Sequence, residues 1–301
     1  MCDDAPVRKS RLVGLWRAAL VVAIVCVVGA AWRAGLAESE AAKTPSVNVL
    51  RLDGVIANGE GLNITDLRGQ IDRAYKGAPL MVALVVNSPG GSPSQSEEIH
   101  NYIRHKADET GVPTITFIED IGASGGYYVS LAGDKIYASN RQSIIGSIGV
   151  VSSGFNLRKA AQSVGVDHWV VAHGAHKHHL DPFEAMTDAD KTWITGLQNA
   201  IFEVFKNHVV ARRKAEGHAI RPEEYAGLFN GDVWIGEDAV KKGLADGVID
   251  VYAYVAKTYG EKTPIRYIEP EADFTDEIIK KMSTRFGGVV ATAAARAEFG
   301  L

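Results

Sequence analysis

Two glycine-rich segments hold the residues best suited to chemistry. One reads Asn87-Ser88-Pro89-Gly90-Gly91-Ser92, the other Gly122-Ala123-Ser124-Gly125-Gly126-Tyr127-Tyr128. In the first, adjacent glycines let backbone N–H groups turn outward and approach a ligand closely. An ordinary strand-to-helix turn has the same composition. In the second, Ser124 stands among small residues between a strand and a helix. Its hydroxyl can then lie exposed on a tight turn at the positive end of the helix, and small neighbours admit a substrate carbonyl. The Gly125 N–H is placed to donate to an oxyanion. A serine at this position can equally be a simple N-cap.

These segments must be positioned by the elements around them. Residues 47–52 form a strand that ends at the turn signal Asp53-Gly54. Ile64, Leu67, Ile71 and Tyr75 have helical spacing, and the continuous apolar run 80–86 predicts a strand buried on both faces. Residues 94–110 read as a helix, 114–118 as a strand, 124–132 as a helix and 135–138 as a strand. Such alternation predicts an α/β domain with parallel pairing. Thr187-x-x-Asp190 is an approximate capping box opening a long helix toward Gly217, followed by a small helical and turn region over 221–250. Asp134 and Asp181 read as capping or turn residues, and Tyr127 and Tyr128 as packing for their helix.

A chain of 301 residues with 46% apolar and 23% charged residues is ordinary for a globular protein. Its net charge of −4 and lack of a basic stripe argue against nucleic-acid binding. Both cysteines, Cys2 and Cys26, lie near the start, so the rest of the chain offers no disulfide, thiolate nucleophile or Cys-based zinc site. Residues 18–32 are uncharged and apolar, and as a helix would span about 22 Å of a hydrocarbon core about 30 Å thick. Extending back to Leu12 closes the gap, with Arg17 snorkelling and Trp16 and Trp32 as interfacial anchors. Arg8, Lys9 and Arg11 then hold the N-terminus in the cytoplasm, and everything after about residue 34 is exported. A signal peptide cleaved near Gly35-Leu36-Ala37 is the alternative to an anchor.

Taken together, the motifs resemble the signal peptide peptidase A family of serine peptidases. The similar text is NSPGGS at 87–92, ASGGYYVSLAGDKIYAS at 123–139, GSIGV at 146–150, GAHKHHLDPF at 174–183 and GDVWIGEDAVKKGLADGVID at 231–250. It covers roughly 47–255, in order, and its length is that of the short bacterial members with one catalytic domain per chain. The resemblance implies a ClpP/crotonase-like fold of stacked ββα units, preceded here by an N-terminal transmembrane helix. The corresponding division is a basic cytoplasmic segment (1–11), the anchor (12–33), a linker (34–46), a peptidase domain (47–260) and a C-terminal helical extension (261–301).

The resemblance places the nucleophile on Ser124 and a general-base lysine on Lys177, in the pattern G-x-x-K-x-x-x-x-P-F. It implies oxyanion donors at Gly91 and Gly125 and a hydrogen bond to the lysine amine from Ser147, with no metal or cofactor. A free lysine, with a pKa of about 10.4, is protonated at neutral pH; bringing it to about 7–8 takes roughly 3–5 kcal/mol of desolvation. That is the Ser-Lys form of the triad logic. His168, His173, His176, His178 and His179 crowd around Lys177, and they are a polar loop, a rival base or zinc ligands. The implied substrates are remnant signal peptides, the implied assembly is a ring-like homo-oligomer, and the implied place is the extracytoplasmic face of the bacterial inner membrane. A non-catalytic membrane scaffold and an acyl-CoA enzyme of the same fold are the alternatives.

Overall fold

The computed structural model describes residues 45–174 and 176–270. By internal contacts the chain divides into Met1–Ser46 and Val47–Leu301. The described part of the second unit opens with β1 (Val47–Asp53), α1 (Ile64–Tyr75), β2 (Met81–Ser88), α2 (Pro93–Thr110) and β3 (Thr114–Ala123). There follow α3 (Gly125–Ser130), β4 (Lys135–Ala138), β5 (Ile144–Gly146), α4 (Arg158–Ser163) and the long α5 (Asp188–Ala215). A 3₁₀ turn at Pro222–Glu224 leads to α6 (Tyr225–Leu228), β6 (Val233–Ile235), α7 (Gly236–Lys241), β7 (Gly247–Val248), α8 (Val251–Tyr259) and β8 (Ile265–Tyr267).

Local chemistry sets the helix ends. The Asn63 side chain accepts the Asp66 N–H at the start of α1. Ser92 caps α2 with Pro93 in its first turn, and Gly111 ends it in the left-handed region at φ 67°. Thr187 and Asp190 complete the predicted capping box of α5.

The sheet runs β6-β5-β3-β2-β1-β8, with β4 on β3 and β7 on β4. Every pairing is parallel except β5 with β6, which the strand–helix alternation does not anticipate. Central β2 is buried almost throughout, as its apolar run predicts. Its side chains alternate between two cores. Val82, Leu84 and Val86 face the core containing α1 and α2, and Met81, Ala83 and Val85 face the one under α8.

Two elements depart from the sequence reading. β3 continues past the polar Glu119 and Asp120 because β4 pairs with its first half and β5 with Ile121–Ala123. The sequence predicts a helical extension from residue 261, whereas Ile265–Tyr267 is a strand that adds to β1. Among the described residues no helix is long and apolar enough to cross a membrane; the expected anchor at 12–33 and the helix expected from Phe274 lie outside them.

Candidate active site

Ser124 stands where β3 gives way to α3, at φ 52° and ψ −123°. A positive φ is strained for any residue with a Cβ and persists only where the surroundings impose it. Here the Ser124 N–H donates to the Gly146 carbonyl at 2.8 Å, which ties the turn to the end of β5. The hydroxyl makes no capping hydrogen bond to α3, so the N-cap alternative does not account for it.

The first glycine-rich segment is folded against this turn. Ile56 pins it from the other side, accepting from Ser92 N–H at 2.7 Å and donating to the Gly90 carbonyl at 2.9 Å. A Cβ on Gly90 would stand 2.5 Å from Gly125 N, and one on Gly91 would stand 2.0 Å from the Ile56 carbonyl oxygen. Both positions therefore require glycine. A Cβ on Gly125 would lie 3.2 Å from Gly91 N, so the two backbone donors expected at an oxyanion site are neighbours. The Gly125 N–H also belongs to the first turn of α3, where N–H groups have no intrahelical acceptor.

Gly91, Ser124, Gly125 and Ser147 line one cavity of about 580 Å³. Ser147 follows β5 at φ 51°, with its N–H on the Asp232 carbonyl at 2.7 Å. The far wall is apolar and comes from Tyr128 of α3 and from Ile201, Val204 and Phe205 of α5. The titratable side chains in this lining are Glu97 and Tyr128. Burial, with Glu97 nearby, pushes the Tyr128 phenol up to about 12.

Lys177 is not part of this lining. It sits exposed in a turn at 176–180, on the long connection between β5 and α5. The five histidines around it are absent from the Ser124 cavity too. His179 is held by Asp190 and stacks on Trp193, with its Nε2 3.0 Å from His176 Nδ1, and His168 pairs with Asp181 at 2.9 Å. The contact with His179 and bonds from Thr187 keep the Asp190 carboxyl well below its ordinary range. Among the described residues no group of three or more His, Cys, Asp or Glu side chains is arranged to hold a metal ion.

Residues 106–262 match the sequence model of Peptidase family S49. The chain belongs to this family, that of signal peptide peptidase A. The S49 match takes in Ser124, Gly125, Ser147 and Lys177, while Gly91 lies just ahead of it. Among individual proteins, the chain is 38% identical over 232 residues to one named Na(+)/H(+) antiporter NhaA from Brucella melitensis, across 75% of this chain and 31% of that one. It is 31% identical over 222 residues to a protein of Enterococcus faecium carrying the name signal peptide peptidase SppA, across 69% of this chain and 61% of that one. It thus spans less than two thirds of either relative. A mutant of the 1510-N membrane-bound stomatin-specific protease with a substrate peptide superposes at a TM-score of 0.47, with 16% identity, over 80% of this chain and 99% of that one.

Within the S49 frame, the sequence singles out Gly91, Ser124, Gly125 and Ser147, which meet at one cavity. It does not single out the cavity's apolar wall. Tyr127 packs as expected, fully buried with its hydroxyl donating to the Leu244 carbonyl at 2.8 Å, and Tyr128 packs in the core against Phe205 while also lining the cavity. The available signal was one of spacing: Ile201, Val204 and Phe205 share one face of α5 at helical intervals.

Proposed function

We propose that this chain is a membrane-anchored serine endopeptidase that works through an acyl-enzyme on Ser124, with Lys177 as general base. The observation that carries the reading is Ser124 itself, strained at φ 52°, uncapped, and beside the Gly91 and Gly125 N–H groups at the mouth of a partly apolar cavity. The Ser124 oxygen attacks the peptide carbonyl carbon as its proton passes to the neutral Lys177 amine. The carbonyl oxygen gains the negative charge against the two glycine N–H groups. The C–N bond then breaks, and Lys177 returns the proton to the leaving amine. Water then gives a proton to Lys177 as its oxygen bonds the acyl carbon, and the bond from that carbon to the Ser124 oxygen breaks as Lys177 returns the proton to the serine. Ser147, at the cavity edge, is assigned to hydrogen-bond the lysine amine.

An apolar wall suits apolar side chains, and extended remnant signal peptides are the substrate class we assign. The anchor at 12–33 would hold the domain beside them, on the extracytoplasmic face of the bacterial inner membrane.

Lys177 has to reach Ser124 from an exposed segment, and that segment is rich in uncovered apolar residues. Val151 and Val171 are 87% exposed, Phe155 88% and Trp169 79%. Apolar surface of this extent on one connection marks a contact surface. In the proposed ring it packs on a neighbouring copy and delivers Lys177 to that copy's serine.

Mixing two inactive proteins tests this. Ser124→Ala and Lys177→Ala should each fall to about a thousandth of parental activity or less. Random co-assembly should restore roughly a quarter, because that share of shared sites receives both groups. If Lys177→Ala stays active, the base assignment fails. If the mixture stays dead, the lysine acts within its own chain.

A further inference from the structure

Behind the apolar wall lies a pair of histidines that the proposed chemistry does not use. Tyr128 presents one side of its ring to the cavity, and His208 of α5 stacks on it with centroids 4.5 Å apart and planes 12° apart. His100 of α2 meets the same ring edge-on at 5.6 Å and 80°, and Phe205 tilts against it at 5.3 Å and 50°. The two imidazoles approach through their Nε2 atoms at 3.1 Å, while His100 Nδ1 lies 3.0 Å from Asn101 Oδ1.

The placement follows from helix periodicity. Ser96 and Glu97 of α2 line the cavity, and His100 continues their face by one turn. Val204 and Phe205 of α5 line it, and His208 continues theirs. The pair therefore closes two helical stripes at the point where α2, α3 and α5 meet.

Two nitrogens 3.1 Å apart accommodate one proton between them, so one ring must donate and the other accept. Both rings together cannot be cationic in this arrangement. Their surroundings favour neutrality: burial, with Arg212 and Arg104 nearby, brings His100 down to about 4, and burial, with His100 and Arg212, brings His208 down to about 3. Glu97 faces Tyr128 from α2, and Asn101 contributes an uncharged amide. Leucine or phenylalanine would fill the same space without burying polar nitrogens. What His208 supplies, and leucine would not, is a flat ring stacked behind Tyr128.

We propose that His208 is a positioning residue for substrate selection: stacked on Tyr128, it fixes that ring as the back wall of the Ser124 cavity and so sets the size of apolar side chain the cavity takes. The inference rests on the peptidase reading for its place in catalysis, but it concerns binding of an apolar peptide side chain and is measurable without turnover.

The test uses the full chain carrying Ser124→Ala, with peptides that differ at one position (Ala, Val, Leu or Phe) and affinities measured by calorimetry. A pocket of this kind should favour Leu over Ala by about tenfold or more. Adding His208→Asn keeps a donor toward His100 but removes the ring, and the ratio should fall to about threefold or less. Adding His208→Phe keeps the stack, and the ratio should stay within about twofold of the parent. Equal ratios in the Asn variant and its parent overturn the inference, as does a Phe variant that loses as much as Asn, or a parent that does not discriminate. Should His208→Asn fail to fold by circular dichroism, Tyr128→Leu removes the wall from the other side, and a ratio kept in that variant overturns the inference as well. Turnover by the Ser124 protein is measured separately; its absence removes the peptidase reading and leaves the binding ratios to decide this one.

Discussion

The Cβ that Gly125 lacks would stand 3.2 Å from the Gly91 nitrogen. Two segments more than thirty positions apart thus pack backbone to backbone, with Ser124 immediately before Gly125. Each chain bend that makes this possible uses a conformation or contact ordinary side chains resist, and the resistance can be measured.

Ser124→Gly should separate stability from activity. Removing Cβ at φ 52° relieves strain of roughly 1–3 kcal/mol, while removing the nucleophile ends turnover. Chemical denaturation should show a midpoint raised above the parent with no change of slope. A midpoint at or below the parent would mean that the turn is not strained.

Gly91→Ala should be far more damaging than Gly111→Ala. The first drives a methyl group to 2.0 Å from the Ile56 carbonyl oxygen, while a Cβ on Gly111 meets nothing within 4 Å. Gly111 still sits at φ 67°, so its substitution costs about 1 kcal/mol. Gly91→Ala should abolish peptidase activity even where thermal melting shows a folded protein, because the displaced backbone carries the N–H with it. Equal activity in the two variants would remove Gly91 from the site.

Arg213 should be the least replaceable charged residue of α5. It is fully buried and donates to the Gly243 carbonyl at 2.7 Å, Glu216 Oε2 at 2.6 Å and Asp246 Oδ2 at 3.1 Å. Asp246 in turn accepts the Ile136 N–H at 2.7 Å, which ties α5 to β4. Arg213→Ala removes a fully buried cation from two buried carboxylates, leaving Glu216 to Arg212 and Asp246 to the more exposed His218 and Lys135, and should cost about 3 kcal/mol in denaturant unfolding. A loss below about 1 kcal/mol would mean that the network is not holding the helix.

Acid should weaken the fold through the histidine pair. Folded His100 and His208 titrate below the unfolded value of about 6.5, at about 4 and about 3. The unfolded chain therefore binds more protons between those limits, and stability falls as pH drops from about 6.5 toward 4. The contribution is fully present above about 6.5. A melting temperature roughly 5–10 °C lower at pH 4.5 than at pH 7 is expected, with a smaller difference in His208→Phe. An identical pH dependence in parent and variant would clear the pair of this role.

The fold was legible in the sequence where burial and period agree. β2 has a run of apolar residues that only a strand buried on both faces accommodates, and α1 has its Leu67, Ile71 and Tyr75 stripe. Short β5 and β6 were not legible, because three residues carry no period and their antiparallel pairing depends on a return of the chain some ninety positions later. Ser124 and its glycines stood out through their local text. The positive φ at Ser124 and Ser147 did not, since strain at a residue with a Cβ is imposed by neighbours distant in sequence. His100 and His208 belong to two helices about a hundred positions apart, and their contact exists only once those helices pack together.

The walls of the Ser124 cavity have a consequence in time as well as space. Ser124 leaves the ribosome early, but Val204 and Phe205 come from α5, and the Asp232 carbonyl that holds Ser147 comes later still. A nascent chain shorter than about residue 200 has the serine and both glycine segments but neither the α5 part of the apolar wall nor the β6 strand that braces β5. The surroundings that the proposed chemistry on Ser124 needs are therefore completed only when translation reaches β6.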